Sequence, residues 1–371
     1  MRPVLLAAAA VLAAVVPAPA VQPDGTRDLF NGKDLAGFVN VNCAPGTFVV
    51  KDGEIVTTGN PTGFLRTDRH YENFELDFDW MHVEQVKMAN SGLFVWGDPL
   101  PGVGTPYTRG IEVQVLINFA PKDGWATSHG DIFSIHGARC TPDRVHPVNP
   151  KMERCLPSEN RVKGGGQWNH YKVLANDGAI KLHVNGKEVS GVSKSSPRKG
   201  YLAFESEGAE CHFKNVKIKE LASTNPKADE VAQVWGGHVS IFTGLDLTGW
   251  KTNAGAWTVG GGILRAKADD ALVSAKAYKV GELQFDWRLP AKAEGKCEVR
   301  IGRFALDAGP PAGGGWNRTV VDTSGRTLKV TTNGRQVSLA LTEAAAGGEI
   351  GFTPAVGLEV MNVFVKEAKG D

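Results

Sequence analysis

Short runs that alternate strictly between apolar and polar residues restrict the fold of this chain more than any other feature. In FELDFDW (74–80), Phe74, Leu76, Phe78 and Trp80 fall on one side of an extended strand, and Glu75, Asp77 and Asp79 on the other. In RGIEVQVLIN (109–118), Ile111, Val113 and Val115 share one side, and Glu112, Gln114 and Leu116 the other. Further short strand-like runs include TFVV, EIVTT, SGLFVW, HYKVLA, IKLHV and FKNVKIKEL. Asp52-Gly53, Asp177-Gly178 and Asn185-Gly186 separate several of them, and such pairs tolerate the positive φ that two-residue hairpin turns require. Forty-five glycines and few long helical patterns point the same way. The chain reads as all-β, built as sandwiches, jelly rolls or barrels.

The runs recur in order. LFNGKDLAGF (29–38) is echoed by IFTGLDLTGW (241–250), FVVKDGEI (48–55) by WTVGGGIL (257–264), and FELDFDW by GELQFDW (281–287). QWNHYKV (167–173) then matches GWNRTVV (315–321), LHVNGKEV (182–189) matches VTTNGRQV (330–337), GYLAF (200–204) matches GEIGF (348–352), and FKNVKIKEL (213–221) matches VMNVFVKEA (360–368). Seven echoes in one order predict a tandem repeat. The first domain is placed at 26–221, a small, polar and charged linker at 222–233, and a degenerate second copy at 234–370. Trp168, Trp316 and the paired Asn-Gly turns occur in both copies and are assigned to folding. The copies differ between SGLFVWG (91–97) and the WN motif, where the first spends about seventy residues and the second fewer than twenty. The extra segment carries Arg109, Glu112, Gln114, His129, Asp131, His136 and His146, and insertions on a rigid β scaffold are where function concentrates.

Residues 1–20 are of another kind: Arg2, an apolar run, then Pro17-Ala18-Pro19-Ala20. This reads as a signal peptide cleaved after Ala20, hence a secreted or periplasmic protein without a membrane span. A net charge of +1 and the lack of basic runs give no footing for nucleic acid. Five cysteines in an exported chain suggest disulfides, with Cys140–Cys155 and Cys43–Cys211 as candidate pairs and Cys297 left over; free buried thiols are the alternative.

A strand that is apolar on one side and offers Glu112 and Gln114 on the other suits the floor of a polar groove. Glu112 is the leading candidate for chemistry, with Gln114 and Arg109 as substrate-binding neighbours. Glu75, Asp77 and Asp79 are expected to add carboxylates to the same polar face, although a solvated acidic face is the simpler reading for Asp77. Asn90 and Ser91 can bind sugar hydroxyls or equally cap their own turn, and His136 is an alternative base; Trp96 offers a stacking platform for a sugar face, with a half-buried core tryptophan as the safer reading. His129, Asp131 and His136 match no strong metal spacing, so no metal ligand is assigned.

The ordered set LFNGKDLAGF, the V-x-D-G turn, NFELDFDW, NSGLF, GIEVQVL, WNHYKV, VNG and FKNVKIKEL resembles the 3-keto-disaccharide hydrolase domain family. The resemblance covers the first domain and, more weakly, the second. It implies two concanavalin A-like jelly-roll sandwiches and cleavage of glycosides oxidised to a ketone at carbon 3, through proton removal at carbon 2, elimination and hydration. It places Asn90, Ser91, Glu112 and Gln114 in the groove, leaves room for a divalent metal such as calcium, and names a carbohydrate as partner. Two departures stand out: Val95-Trp96 where the family often has arginine, and Ile117-Asn118 where it often has aspartate. The alternative is a lectin-like envelope protein that binds carbohydrate without turning it over.

Overall fold

The computed structural model describes residues 22–118, 129–290, 296–311, 314–325, 327–340 and 347–368; the signal peptide expected at 1–20 lies outside them. Alternation becomes antiparallel pairing. Phe74–His82 is central to a nine-stranded sheet, between Asn169–Asn176 on one side and Cys211–Glu220 on the other. Its burial alternates residue by residue, as the sequence predicts. A seven-stranded sheet runs in the order Arg154–Cys155, Ile132–Ile135, Gly110–Gln114, Gly92–Gly97, Tyr201–Ser206, Gly63–Thr67 and Phe38–Val41.

The two sheets pack face to face. Leu76, Phe78 and Trp80 from the first join Leu93, Val95, Ile111, Val113 and Phe204 from the second in one buried cluster. Phe78 meets Tyr171 at 5.6 Å and Phe204 at 5.5 Å, both edge to face, a geometry that adds to simple burial. Two polar contacts cross the sandwich: Tyr171 Oη donates to the Gln114 carbonyl at 3.0 Å, and His82 Nε2 lies 2.9 Å from the Val115 carbonyl. The predicted two-residue turns form. Asn185 and Gly186 both have positive φ (48° and 88°) and close the hairpin in which Val184 pairs with Lys187.

Residues 239–367 form the second sandwich, whose sheets share the long strand Leu272–Arg288. Leu283, Phe285 and Trp287 point into its core, so Gln284 and Asp286 emerge on the outer face. That face docks on the first half. Arg66, on Gly63–Thr67, is fully buried there: its Nη2 lies 3.2 Å from Asp286 Oδ2, and its guanidinium stacks 4.2 Å from the Tyr201 ring. Arg318 holds the same carboxylate in a bidentate pair at 2.7 and 2.9 Å, and Asn362 Nδ2 donates to it at 2.8 Å. Burial alone would raise the Asp286 pKa, but Arg318 and Arg66 hold it below the ordinary range. The segment 222–233, expected as a linker, lies against the first half. Glu72 accepts from Ser223 and Thr224, Arg198 pairs with Glu230, and Ala232 N–H donates to the Lys199 carbonyl.

Two expectations are overturned here. All five cysteines are free thiols. Cys43 follows an edge strand of the seven-stranded sheet while Cys211 is buried in the other sheet; Cys140 Sγ donates to the Glu153 carbonyl and Cys155 Sγ to the Leu156 carbonyl. Glu75, Asp77 and Asp79 do not share a face with Glu112, because Phe74–His82 and Gly110–Gln114 belong to different sheets whose polar sides point in opposite directions. They pair instead with Lys172 and His170.

Replacing Asp286 by alanine strands Arg66 in a buried interface without its anion. The expected cost in denaturant unfolding is about 3–5 kcal/mol, as for other broken buried pairs. A loss below about 1 kcal/mol would mean that the pair does not hold the halves together.

Candidate active site

Ile111 and Val113 enter the core, so Glu112 and Gln114 must stand on the outer face of the seven-stranded sheet. The same alternation on Tyr201–Ser206 buries Phe204 in the core and turns Ala203 and Glu205 outward. The strand between them contributes Gly92. A Cβ at Gly92 would stand 2.8 Å from Glu112 Oε1 and 2.9 Å from Glu205 Oε2. The absence of a side chain at this position is what lets two carboxylates from flanking strands face each other across the middle one. Glu207, one step beyond the strand, completes the acidic trio.

These residues line a cavity of about 250 Å³. Asn90 and Gln114 form its polar floor: Gln114 Nε2 donates to Asn90 Oδ1 at 2.6 Å, and Asn90 Nδ2 donates to Glu207. Tyr107 Oη donates to the other Glu207 oxygen at 2.6 Å. Tyr107 and the exposed His136 stack 5.5 Å apart with their rings 13° from parallel, forming an aromatic wall. Opposite, Arg154 lies over Phe133 at 3.9 Å and pairs with Asp131 at 2.6 Å.

Glu205 is 1% exposed and, among the described residues, neither of its oxygens has a hydrogen-bond partner. Burial, reinforced by Glu112 and Glu207, raises its pKa well above the ordinary range. Glu112 is 6% exposed; burial and Glu207 push it up to about 8 against the opposing pull of Arg154. Glu112 and Glu205, this close in a dry setting, resist ionising together, so the pair shares a proton. One carboxylic acid and one carboxylate side by side can protonate and deprotonate the same substrate.

Of the residues singled out from the sequence, Asn90, Glu112, Gln114 and His136 meet in this cavity. Three do not. Arg109 is held by Asp98 at 2.7 and 3.1 Å and stays outside it. Ser91 is fully buried and donates to the Glu205 carbonyl at 2.8 Å, so it ties strands together. Trp96 is fully buried in the core and donates from Nε1 to the Glu72 carbonyl at 2.8 Å. Unbroken alternation from Gly92 and Phe94 would have put Trp96 on the groove face. A bulge intervenes: Trp96 has φ 55°, and the register against Tyr201–Ser206 slips there. His129 and Asp131 are buried, and among the described residues no three His, Cys, Asp or Glu side chains are placed to hold a metal ion. Glu205, Glu207, Tyr107 and Arg154 are the lining residues that sequence reasoning missed.

The family that this chain matches indicates a carbohydrate-active, glycosyl hydrolase-like domain. Residues 25–219 match the model of the 3-keto-alpha-glucoside-1,2-lyase-like domain, and the chain belongs to that family, as its motifs led us to expect. A candidate glycosyl hydrolase from Parabacteroides distasonis is 26% identical over 54% of this chain and 95% of its own, with a TM-score of 0.41. A second from the same organism is 20% identical over 53% and 99%, with a TM-score of 0.38. A carbohydrate-binding module from Bacillus subtilis is 14% identical over 50% and 96%, with a TM-score of 0.35. No curated protein matches the chain. Among the described residues, no helix is long and apolar enough to cross a membrane.

The carboxylate trio has a measurable cost. A carboxyl that holds its proton more tightly folded than unfolded takes one up on folding at any pH between the two values. The contribution of Glu112 to stability is therefore most favourable near or below its ordinary value of 4.5 and is lost as pH rises through about 8. Glu112→Gln and Glu205→Gln should each flatten the fall in melting temperature between about pH 5 and pH 9. A variant whose slope equals the wild-type slope would show that the carboxyl it removes does not hold a raised pKa.

Proposed function

We propose that this is an exported enzyme that cleaves glycosides whose sugar carries a ketone at carbon 3, by elimination followed by hydration. The observation that carries the reading is the facing pair Glu112 and Glu205 across Gly92, inside the stretch that matches the family model. A ketone at carbon 3 acidifies the hydrogen on carbon 2. The ionised member of the pair takes that proton, leaving an enolate. Collapse of the enolate expels the aglycone oxygen from carbon 1, and the protonated member supplies the proton that this oxygen needs. Water then adds across the new carbon 1–carbon 2 double bond, its hydroxyl to carbon 1 and its proton to carbon 2, so the net change is hydrolysis.

Glu112 is the first choice for the base, and Glu205 takes the complementary role. Asn90 and Gln114 are placed to bind hydroxyls, and the Tyr107–His136 pair offers a face for the sugar ring. His136 is assigned to this wall, where partial desolvation against its neighbours lowers its pKa. Export rests on the leader read at 1–20. We assign the chemistry to the 26–221 domain and a supporting role to the 234–370 copy, a division supported by the family match over residues 25–219.

Product formation from a panel of 3-keto-glucosides and their unoxidised parents, with and without chelator, tests this. Wild type should cleave only the keto substrates, and Glu112→Gln and Glu205→Gln should each lower the rate by roughly 10²–10⁴-fold. Sugar binding without turnover by wild type would replace the enzyme with a lectin-like binding protein.

A further inference from the structure

The reaction proposed for the groove leaves one charge without a host. Once Glu112 has taken the proton from carbon 2, the electron pair left behind runs through to the oxygen at carbon 3, and neither glutamate can receive it there. That oxygen needs a cation or several strong donors. Most donors lining the cavity are already spent. Gln114 Nε2 donates to Asn90 Oδ1 at 2.6 Å and to the Ser91 carbonyl at 3.3 Å, while Tyr107 Oη and Asn90 Nδ2 donate to Glu207. Arg154 is the one arginine or lysine that lines the cavity among the described residues.

Strand pairing sets Arg154 beside the base. Arg154 pairs with Phe133, and Phe133 with Glu112, so the three stand in one row across neighbouring strands and project to the same side. At one strand spacing per step the Arg154 and Glu112 backbones are about 10 Å apart, with the Phe133 ring between them as a floor. The guanidinium lies 3.9 Å over that ring. Its charge reaches Glu112, where it opposes the rise in pKa that burial and Glu207 cause. The bond from Nε to Asp131 Oδ2 at 2.6 Å and a longer one from Nη2 to Gln114 Oε1 at 3.4 Å fix the guanidinium plane. They use two of its five N–H groups, so a substrate oxygen can draw on the rest. The hydrogen on carbon 2 and the oxygen on carbon 3 belong to adjacent carbons, so the base and the cation that serve them must be neighbours. This row makes them so.

We propose that Arg154 is a catalytic residue: its guanidinium binds the carbonyl oxygen at carbon 3 and holds the negative charge that arrives there when Glu112 takes the proton from carbon 2. The inference rests on the keto-glycoside reading and deepens it. The electron pair of the broken carbon–hydrogen bond becomes the carbon 2–carbon 3 double bond, and the carbonyl pair moves to oxygen. Arg154 donates hydrogen bonds to that oxygen and keeps its own protons throughout. When the carbonyl re-forms, the pair swings to the carbon 1–carbon 2 bond and expels the aglycone oxygen, which takes its proton from Glu205.

A substrate analogue with nothing to expel isolates the proton step in the full-length protein. In D2O the carbon 2 hydrogen of 1,5-anhydro-3-keto-glucitol exchanges through the enolate alone, and nuclear magnetic resonance follows its loss. Wild type should catalyse this exchange, and Arg154→Gln should slow it by about 10²–10³-fold with KM changed by no more than about threefold. A loss of less than about tenfold overturns the part given to Arg154 and leaves the reaction standing. The pH profile separates a direct role from mere tuning of Glu112. If Arg154 did no more than keep Glu112 ionised, raising the pH to about 9 would restore the variant. The variant should instead stay at least about tenfold slower than wild type there, and a smaller gap overturns the proposal. Arg154→Lys keeps a cation for Asp131 and serves if the glutamine variant does not fold. Lacking the planar fork, it should lose about tenfold in exchange, and an unchanged rate overturns the assignment. A wild type that neither exchanges the analogue nor cleaves keto-glucosides is a different failure, that of the reaction itself, and it removes the role of Arg154 with it.

Discussion

Everything in the first half depends on two sheets being pressed together by alternating side chains. Once Phe78, Tyr171 and Phe204 interlock, the inward set of each strand is fixed, and so is the outward set. A slip of one residue in Gly110–Gln114 would drive Glu112 and Gln114 into the aromatic core and put Ile111 and Val113 in the groove. The hydrophobic effect thus places the carboxylates indirectly, by leaving them no other direction in which to point.

Electrostatics then works against the fold at that place. Glu112, Glu205 and Glu207 are gathered where water is scarce, and one engaged arginine does not balance them. Sites that concentrate like charge trade stability for reactivity, and the surrounding sandwich is large enough to carry the strain. The interface between the halves solves the same problem differently. Asp286 is as buried as Glu112, yet Arg66, Arg318 and Asn362 satisfy it, so its pKa is lowered rather than raised. Equal burial thus leaves a lowered pKa where the charge is satisfied and a raised one where it is not.

Sequence alone reveals what periodicity can reveal. The all-β class, the Asn-Gly hairpins, the inward faces of 74–80 and 111–115 and the outward Glu112 and Gln114 all follow from a period of two. Periodicity does not say which sheet a strand joins, which is why it groups Asp77 and Asp79 with Glu112. Nor does it register a one-residue bulge, which is why it places Trp96 in the groove. Glu205 and Glu207 are hidden for another reason. GYLAF matches GEIGF and so reads as scaffold, yet the first continues Glu-Ser-Glu where the second reads Thr353-Pro354. That contrast is visible in the sequence, and alternation puts both glutamates on one side of the strand. Arg109 and Ser91 are polar residues claimed by local partners, Asp98 and the Glu205 carbonyl, which only the folded loops reveal.

Asp98 carries a last consequence. It grips Arg109 at the foot of the loop that presents Tyr107, and through Oδ1 it also accepts from the Val234 backbone N–H at 2.9 Å, beyond the segment that joins the two halves. Arg66, a few residues away in the fold through its bond to the Pro99 carbonyl, reaches across to Asp286. The halves are therefore poor interchangeable parts. Transplanting the first onto another protein would bare a guanidinium built for burial and unfasten one anchor of the loop beside the cavity. A graft that respects this chain would have to take its neighbour along, or redesign the seam before moving it.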